Sequence, residues 1–270
     1  MRSILVAMLT CVMSASALAQ QTITVGVVPQ FQVKKLHSIW RPILQTLEQE
    51  TGYKFELRGS PDIPTYEKEF MAGQFDLAYM NPYHYLIAED IYTPLVRDVG
   101  RKLFGIVVVA KDSPYQSLAD LDGKRIALPA PNALGASLMP RAAMTNDYNI
   151  HYSTQYVKTH SSVYLNVALG KAEAGGGVQK TLGRQPDNIR NRLRVLYATE
   201  KVSPHPIVVN KKLSPEVIQR IKQALLAMAE TKRGAKMLRK VPFKQLGEAV
   251  PADYEQLRGM RLENFFQKSN

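Results

Sequence analysis

The chain has 270 residues and a formal net charge of +12 at pH 7, and its only cysteine is Cys11. This length suits one large domain or two lobes. Because Cys11 lies in a segment that we expect to be removed, disulfide bonds, a thiol nucleophile and thiolate metal ligands are excluded from the mature chain. No later segment is apolar for about 18 residues, which argues against a transmembrane helix.

The N-terminus has the three parts of a secretory signal peptide. Arg2 gives the positive start, residues 4–12 form a short, mostly apolar core, and Ala-Leu-Ala at 17–19 is a small-x-small cleavage site. We therefore expect residues 1–19 to be cleaved and the protein to act in a bacterial periplasm. A basic protein in that compartment is expected to meet small anions or the membrane surface, and nucleic acid is not an expected partner.

Strand and helix patterns alternate along the first half of the chain. Compact apolar strands are predicted at 22–28, 53–57 and 75–80, and helices at 34–51, at 65–71 and from Asn81 onward. In the helix at 34–51 the apolar residues recur on one face, and Gly52 ends it. This order of elements predicts an α/β fold with a sheet flanked by helices.

The pattern restarts in the second half and then becomes mainly helical. Strands are predicted at 95–99, 102–113, 125–128, 154–157, 193–197 and 206–210, and helices at 136–144 and 161–169, with residues 214–267 mostly helical. Pro140 lies inside one predicted helix and is expected to kink it. We expect extended crossings near 108–111 and 203–206, which give one lobe of residues 20–109 plus 206–270 and a second lobe of 110–205. The ligand is expected in the cleft between them.

Four stretches place polar groups where predicted strands end and helices begin, and helix N-termini bind anions through free N–H groups. In the first, Tyr66 is either an oxyanion donor or an ordinary residue of an amphipathic helix. In the second, Asn81, Tyr83 and Tyr85 crowd one turn together with His84. Hydrophobic packing explains two of those rings, but the full polar set favours a ligand pocket.

The third stretch, at 129–140, consists mostly of small residues after two prolines. Asn132 is a candidate cap, and Gly135, Ala136 and Ser137 leave the backbone amides uncovered, as in a main-chain cradle for an oxyanion. Tight packing of a helix on a sheet also selects glycine and alanine, so both interpretations stay open.

The fourth stretch holds His160, Ser161 and Ser162 at a strand end, with a serine as a candidate cap for the following helix. Beside it run three glycines at 175–177, followed by Lys180, while His205 lies between two prolines at the second crossing. Successive glycines at a strand end favour close approach of backbone and ligand, although flexibility alone is the alternative.

The order of these motifs resembles the PhnD-like family of periplasmic binding proteins for phosphate, phosphite and phosphonate. The resemblance is carried by VGVVP, W-x-P-x-L at 40–44, TYEKEFMAGQFDLAYMNPYHY, SLADLDGKRIALPAPN, THSSVYLNVALGKAEAG and HPIVV. It implies the two-lobed type II periplasmic binding-protein fold, an ABC permease as partner and no cofactor. Some relatives serve as ligand sensors, which leaves a membrane histidine kinase as the alternative partner.

The resemblance also implies roles for particular residues. Tyr66 and His160 match ligand-contacting positions of the family, while the hydroxyl-rich family loop falls on 133–136, where the hydroxyls are missing and only backbone donors and Ser137 remain. Lys180 and His205 occupy the positions of two carboxylates that hold a ligand amine in aminophosphonate binders. Because an ammonium group would meet cations there, we expect an anionic ligand without an amine.

These features lead us to expect a monomeric periplasmic binding protein that captures a small oxyanion for an ABC importer. A sensor subunit for a membrane histidine kinase is the alternative. An enzyme is not expected, because neither a G-x-S-x-G nor an H-E-x-x-H motif occurs. The spacing of the histidines follows no recognised metal-ligand motif.

Overall fold

The structure is a computed structural model that describes residues 21–31, 33–241 and 243–268. The expected signal peptide at 1–19 lies outside these residues. The strands are β1 (Thr22–Val27), β2 (Lys54–Arg58), β3 (Leu77–Tyr79), β4 (Tyr92–Asp98), β5 (Ile106–Ala110), β6 (Lys124–Leu128), β7 (Tyr152–Tyr156), β8 (Ala174–Gly177), β9 (Leu193–Ala198), β10 (Ile207–Asn210) and β11 (Leu246–Glu248).

The α-helices are α1 (Val33–Thr51), α2 (Ile63–Met71), α3 (Pro82–Ile87), α4 (Met139–Ala142), α5 (His160–Ala168), α6 (Gln179–Gly183), α7 (Asp187–Arg190), α8 (Pro215–Glu230) and α9 (Lys232–Leu238). Turns of 3₁₀-helix cover Leu118–Leu121, Pro251–Met260 and Leu262–Asn264, and π-helical turns cover Leu134–Leu138 and Ala143–Asp147. Each helix in the described part of the chain is too short or too polar to cross a bilayer.

The strands form two mixed sheets. The first has the order β11-β4-β10-β3-β1-β2, and the second has the order β7-β6-β8-β5-β9. In the first sheet β1 runs parallel to β2 and β3, and in the second sheet β6 runs parallel to β7 and β8. Two sheets flanked by helices confirm the predicted two-lobed α/β fold of type II.

The first crossing between the sheets comes earlier in the chain than the sequence indicated. The predicted boundary at 109 counted most of β5 with the first lobe, but β5 pairs with β8 and β9 in the second sheet. Leu103 bridges Val202, and Gly105 N–H donates to Thr199 Oγ1 at 2.8 Å, so the two crossing segments lie side by side. Strand pairing thus favours a boundary before Ile106, and the exact limits of the lobes stay a prediction.

Helix α1 confirms the predicted amphipathic pattern. Its buried residues are Leu36, Ile39, Trp40, Ile43, Leu44, Leu47 and Thr51. They recur at spacings of three and four, which places them on one side of the helix. This face joins the core that also contains residues of β1, β3 and β10, and so it packs α1 against the first sheet.

Two predicted helical stretches were wrong in detail. The helix predicted at 136–144 is a short α4 between two π-helical turns, because Pro140 lacks an N–H donor and its ring crowds the carbonyl four residues earlier. The predicted helical tail contains β11, which pairs with β4. The carboxylate of Asp98 accepts from the backbone N–H groups of Lys244 and Gln245, at 2.8 and 3.0 Å, and so holds this segment against the sheet.

Candidate functional site

Asn132 lies where the two lobes meet, in the loop that follows β6. Its Nδ2 atom is 3.0 Å from both carboxylate oxygens of Glu67 on α2, and it also donates to the carbonyl oxygen of Gln267 at 2.8 Å. The N–H of Gln267 donates back to Asn132 Oδ1 at 2.9 Å. This buried side chain therefore joins the second lobe to α2 and to the C-terminal segment of the first.

Glu67 was not among the predicted site residues, although it is only 3% exposed. Its Oε1 atom lies 2.9 Å from Nε2 of His84, a fully buried residue of α3. The sequence does carry a signal for it, since Glu67 falls on the apolar face of α2 with Tyr66 and Phe70. A charged residue on a buried helix face requires a partner, and the histidine and the asparagine supply two.

Asn81 caps α3, because its side chain accepts from the backbone N–H of His84 at 2.8 Å. Its Nδ2 atom lies 3.5 Å from the carbonyl oxygen of Asn132. The end of β3 and the end of β6 therefore face each other across the cleft. His84 Nδ1 has no hydrogen-bond partner within the described residues, although it is fully buried.

The predicted tyrosines pack within the first lobe. The Tyr66 hydroxyl donates to the carbonyl oxygen of Tyr79 at 3.0 Å, and burial raises the pKa of Tyr66 well above its ordinary value. Tyr83 packs against Phe266, with ring centroids 5.6 Å apart, and Tyr85 packs against Tyr254 at 5.1 Å. Ligand contact by these three side chains stays a prediction.

The small residues of the third stretch let a helix approach a sheet. A Cβ added to Gly105 would lie 1.9 Å from the carbonyl oxygen of Gly135. One added to Gly176 would lie 2.0 Å from the carbonyl oxygen of Ala136. Ser137 uses its hydroxyl within the loop and donates to the carbonyl oxygen of Ala130 at 2.5 Å. These distances require glycine at positions 105 and 176 and support helix–sheet packing, while recognition of an anion by the backbone of 135–137 stays a prediction.

Packing also accounts for the glycines at 175–177, and close approach of a ligand to their backbone stays a prediction. They form most of β8 in the middle of the second sheet. A Cβ on Gly175 would lie 2.5 Å from Val163 Cγ1, and one on Gly177 would lie 2.1 Å from the Tyr164 hydroxyl. Their missing side chains make room for α5.

The start of α5 brings His160, Ser161 and Ser162 beside α6. The cap is Thr159 rather than a serine, because Thr159 has the extended backbone that a cap needs and accepts from Ser162 N–H at 3.1 Å. His160 Nδ1 lies 3.2 Å from Thr181 Oγ1, and burial lowers the pKa of His160 to about 4. Ser161 accepts from Gln185, and the Ser162 hydroxyl lies 2.8 Å from that of Thr159.

Two further predicted residues are cations by type. Burial, together with Arg184 and Arg101, lowers the pKa of the Lys180 ammonium to about 8. His205 stacks on Tyr79 with centroids 5.4 Å apart, and its Nε2 atom lies 3.0 Å from the Gln30 side-chain nitrogen. Burial and the neighbouring His84 lower the pKa of His205 to about 3, so its ring is neutral at physiological pH.

Besides the tyrosines of the first lobe and the helical turn at 135–137, the predicted residues form two groups. Asn81, Asn132 and His205 lie near Glu67 and His84 at the interlobe contact, and the residues of α5 and α6 lie in the second lobe. Within the residues that the structure describes, no cluster of three or more His, Cys, Asp or Glu side chains could hold a metal ion.

Comparison with known proteins gives one consistent result. The model of the family described as "ABC transporter, phosphonate, periplasmic substrate-binding protein" matches residues 25–254. The chain is 25% identical to the phosphate-import protein PhnD of Mycolicibacterium smegmatis over 236 residues, which cover 78% of this chain and 73% of that protein.

Two solved structures share the fold. One is a binding protein component of an ABC phosphonate transporter from Pseudomonas aeruginosa, with a TM-score of 0.74 and 19% identity over 89% of this chain and 85% of that one. The other is PhnD1 from Prochlorococcus marinus in complex with methylphosphonate, with a TM-score of 0.79 and 14% identity over 91% of this chain and 99% of that one.

Proposed function

Because the chain belongs to the family of periplasmic substrate-binding proteins of phosphonate ABC transporters, we propose that it captures a small phosphorus oxyanion without an amine and delivers it to an ABC permease. The observation that carries this proposal is the buried polar contact between Glu67 on α2 and Asn132 after β6, next to the contact between Asn81 and Asn132 that brings the carboxyl ends of β3 and β6 together. Ligands of α/β proteins bind at such strand ends. Binding, and not catalysis, is the role proposed for these residues.

Phosphorus oxyanions are favoured by the chemistry of the relatives and by the charges of this chain. The mycobacterial relative is a phosphate importer, and the Prochlorococcus structure holds methylphosphonate. The protein has a net charge of +12, and Lys180 is charged below about pH 8. The resemblance implies that Lys180 and His205 occupy the positions of the family carboxylates that hold an amine. An aminoalkylphosphonate would therefore lack its usual partners there, although His205 is neutral and only Lys180 would repel the ammonium group.

A thermal-shift screen of the mature chain, stripped of ligand by unfolding and refolding, tests the proposal. Ligand at about 100 times its dissociation constant stabilises the folded state by about 2.7 kcal/mol. We expect phosphate, phosphite or methylphosphonate to raise the melting temperature and 2-aminoethylphosphonate to leave it unchanged. A shift with the aminophosphonate alone contradicts the charge argument, and the absence of a shift with any oxyanion contradicts the proposed function.

The membrane partner is a separate part of the proposal. Both an ABC permease and a sensor kinase would use closure of the lobes around the ligand. Deletion of the gene distinguishes them in the cell. We expect lower uptake of the ligand, as an importer requires. Normal uptake with loss of a ligand-dependent transcriptional response would instead assign the protein to a sensor kinase.

A further inference from the structure

Glu67 places a carboxylate against the loop to which the proposed function assigns the ligand. It reaches this position from α2 of the first lobe, and its partner Asn132 belongs to the second. Both side chains are almost fully buried, at 3% and 5% exposure. A ligand held between the lobes at this contact therefore meets Glu67 without intervening bulk water.

The hydrogen bonds of this contact leave little donor capacity for an incoming anion. The amide group of Asn132 has two N–H donors, of which one serves the two oxygens of Glu67 and the other serves the carbonyl oxygen of Gln267. His84 Nε2 lies 2.9 Å from Glu67 Oε1, so this carboxylate oxygen already has a hydrogen-bonding neighbour on α3. An oxyanion at this contact would therefore lie beside the carboxylate oxygens of Glu67, while both N–H groups of Asn132 already donate to other oxygens.

Two anionic oxygens repel each other strongly in a buried site, where water does not screen them. A proton on one of them reverses the effect, because an O–H group donating to a carboxylate forms a short, charge-assisted hydrogen bond. Glu67 therefore treats anions of the same shape and charge differently, according to whether they carry a hydrogen. The buried Nδ1 atom of His84, which has no hydrogen-bond partner among the described residues, is a second sign that this cluster is incomplete without a ligand.

We propose that Glu67 is a specificity-determining residue that selects oxyanions carrying an acidic hydrogen, such as hydrogen phosphate and hydrogen alkylphosphonates, over oxyanions without one, such as sulfate and sulfonates. The inference rests on the proposed function, because it deepens the ligand class of the same site. It assigns the acceptor role to one carboxylate that sequence reasoning did not single out.

Methylphosphonate and methanesulfonate form a matched pair of probes. They share their shape, and the monoanion of the first differs from the second mainly by one hydrogen on oxygen. Titration calorimetry of the wild-type protein should give at least a 100-fold preference for methylphosphonate, and phosphate should be preferred over sulfate in the same way. Equal affinity within both pairs contradicts the inference without any variant. Absence of binding to every oxyanion contradicts the proposed function itself.

The substitution Glu67→Gln removes the negative charge and keeps the shape of the side chain. We expect it to lower the ratio of the methylphosphonate and methanesulfonate affinities at least tenfold, with tighter sulfonate binding as part of the change. Glu69→Gln is the matched control, because Glu69 lies on the same helix and is bonded to Ser60 instead. An unchanged ratio in Glu67→Gln, or an equal change in Glu69→Gln, overturns the assignment.

Discussion

His160 and His205 are imidazoles that burial keeps neutral. Their pKa values, about 4 and about 3, lie below the ordinary value of about 6.5 for histidine. The unfolded chain therefore binds protons that the folded chain does not, and stability is lost as the pH falls below about 6.5. Chemical denaturation should show the free energy of unfolding falling by about 1–2 kcal/mol per histidine between pH 7 and pH 5.

Substitution separates this effect from the titration of other groups. His205→Gln removes one of the two neutral imidazoles, so its stability should depend less on pH over the same range. His37→Asn changes an exposed histidine on α1 and should keep the wild-type dependence. If stability depends equally on pH in the wild type, His205→Gln and His37→Asn, the neutral imidazole of His205 is not a cause of the effect.

The lowered pKa of Lys180 leads us to expect that ligand affinity also depends on pH. Its ammonium has a lowered pKa of about 8 because of burial and nearby arginines. The charge that attracts an anion is therefore lost as the pH rises above about 8. Calorimetry at pH 7 and pH 9 should show weaker binding at the higher pH. Lys180→Arg, which keeps its charge, should show a smaller loss, and an identical loss in this variant would exclude Lys180 as the cause.

Single residues were predictable from the sequence where the reason was local. Asn81 is a helix cap, and its identity and position are enough to indicate that role. Glu67 was missed because its partners His84 and Asn132 lie 17 and 65 positions away in the chain. Only the fold brings such groups together, and a lone glutamate on a helix is usually solvated.

Strand β8 tolerates only glycine at its centre because the π-helical turn Leu134–Leu138 and helix α5 pack directly against it. A Cβ on Gly176 would lie 2.0 Å from the backbone oxygen of Ala136, which has no freedom to move aside as a side chain would. Gly176→Ala should therefore destabilise the protein by about 3 kcal/mol or more, measured by chemical denaturation. Gly183→Ala is the control, since no atom of the described residues lies within 4 Å of its added Cβ. Similar stability of the two variants would contradict this packing.

The order of elements was predictable, and irregular segments were not. Apolar patterns identified α1, β1 and α5, because one face of each helix and most residues of β1 are buried. The same periodicity did not predict the structure from Leu134 to Asp147, because the π-helical turns there depart from the period of 3.6 residues. Strand β11 was missed because only its bonds to Asp98 and β4 make it a strand.

At the scale of the whole molecule, the C-terminal segment ties the two lobes together. Arg141 donates to the carbonyl oxygen of Phe265 at 2.7 Å and lies over its ring at 5.6 Å. The backbone N–H and carbonyl oxygen of Gln267 form two hydrogen bonds with the side-chain amide of Asn132. Truncation after Asn264 removes these contacts, so hydrogen exchange of the amides in Leu134–Leu138 should become faster.

A matched substitution controls for general loss of structure. Gln267→Ala keeps the backbone groups that bond Asn132 and should leave the exchange rates at their wild-type values. If Gln267→Ala accelerates exchange as much as the truncation does, the backbone contacts are not what holds the lobes. The sequence alone did not indicate this bridge, because Asn132 and Gln267 are 135 positions apart.

The central claim is that an oxyanion binds between the lobes, and arsenate tests it most directly. Arsenate has the shape and protonation of phosphate, and its arsenic atom can be located by anomalous diffraction in a crystal of the mature protein. The account predicts one dominant arsenic peak in the interlobe cleft, within hydrogen-bond reach of Glu67 or of the loop at 132–137. A dominant peak on the outer surface of either lobe, or no peak at saturating arsenate, would contradict it.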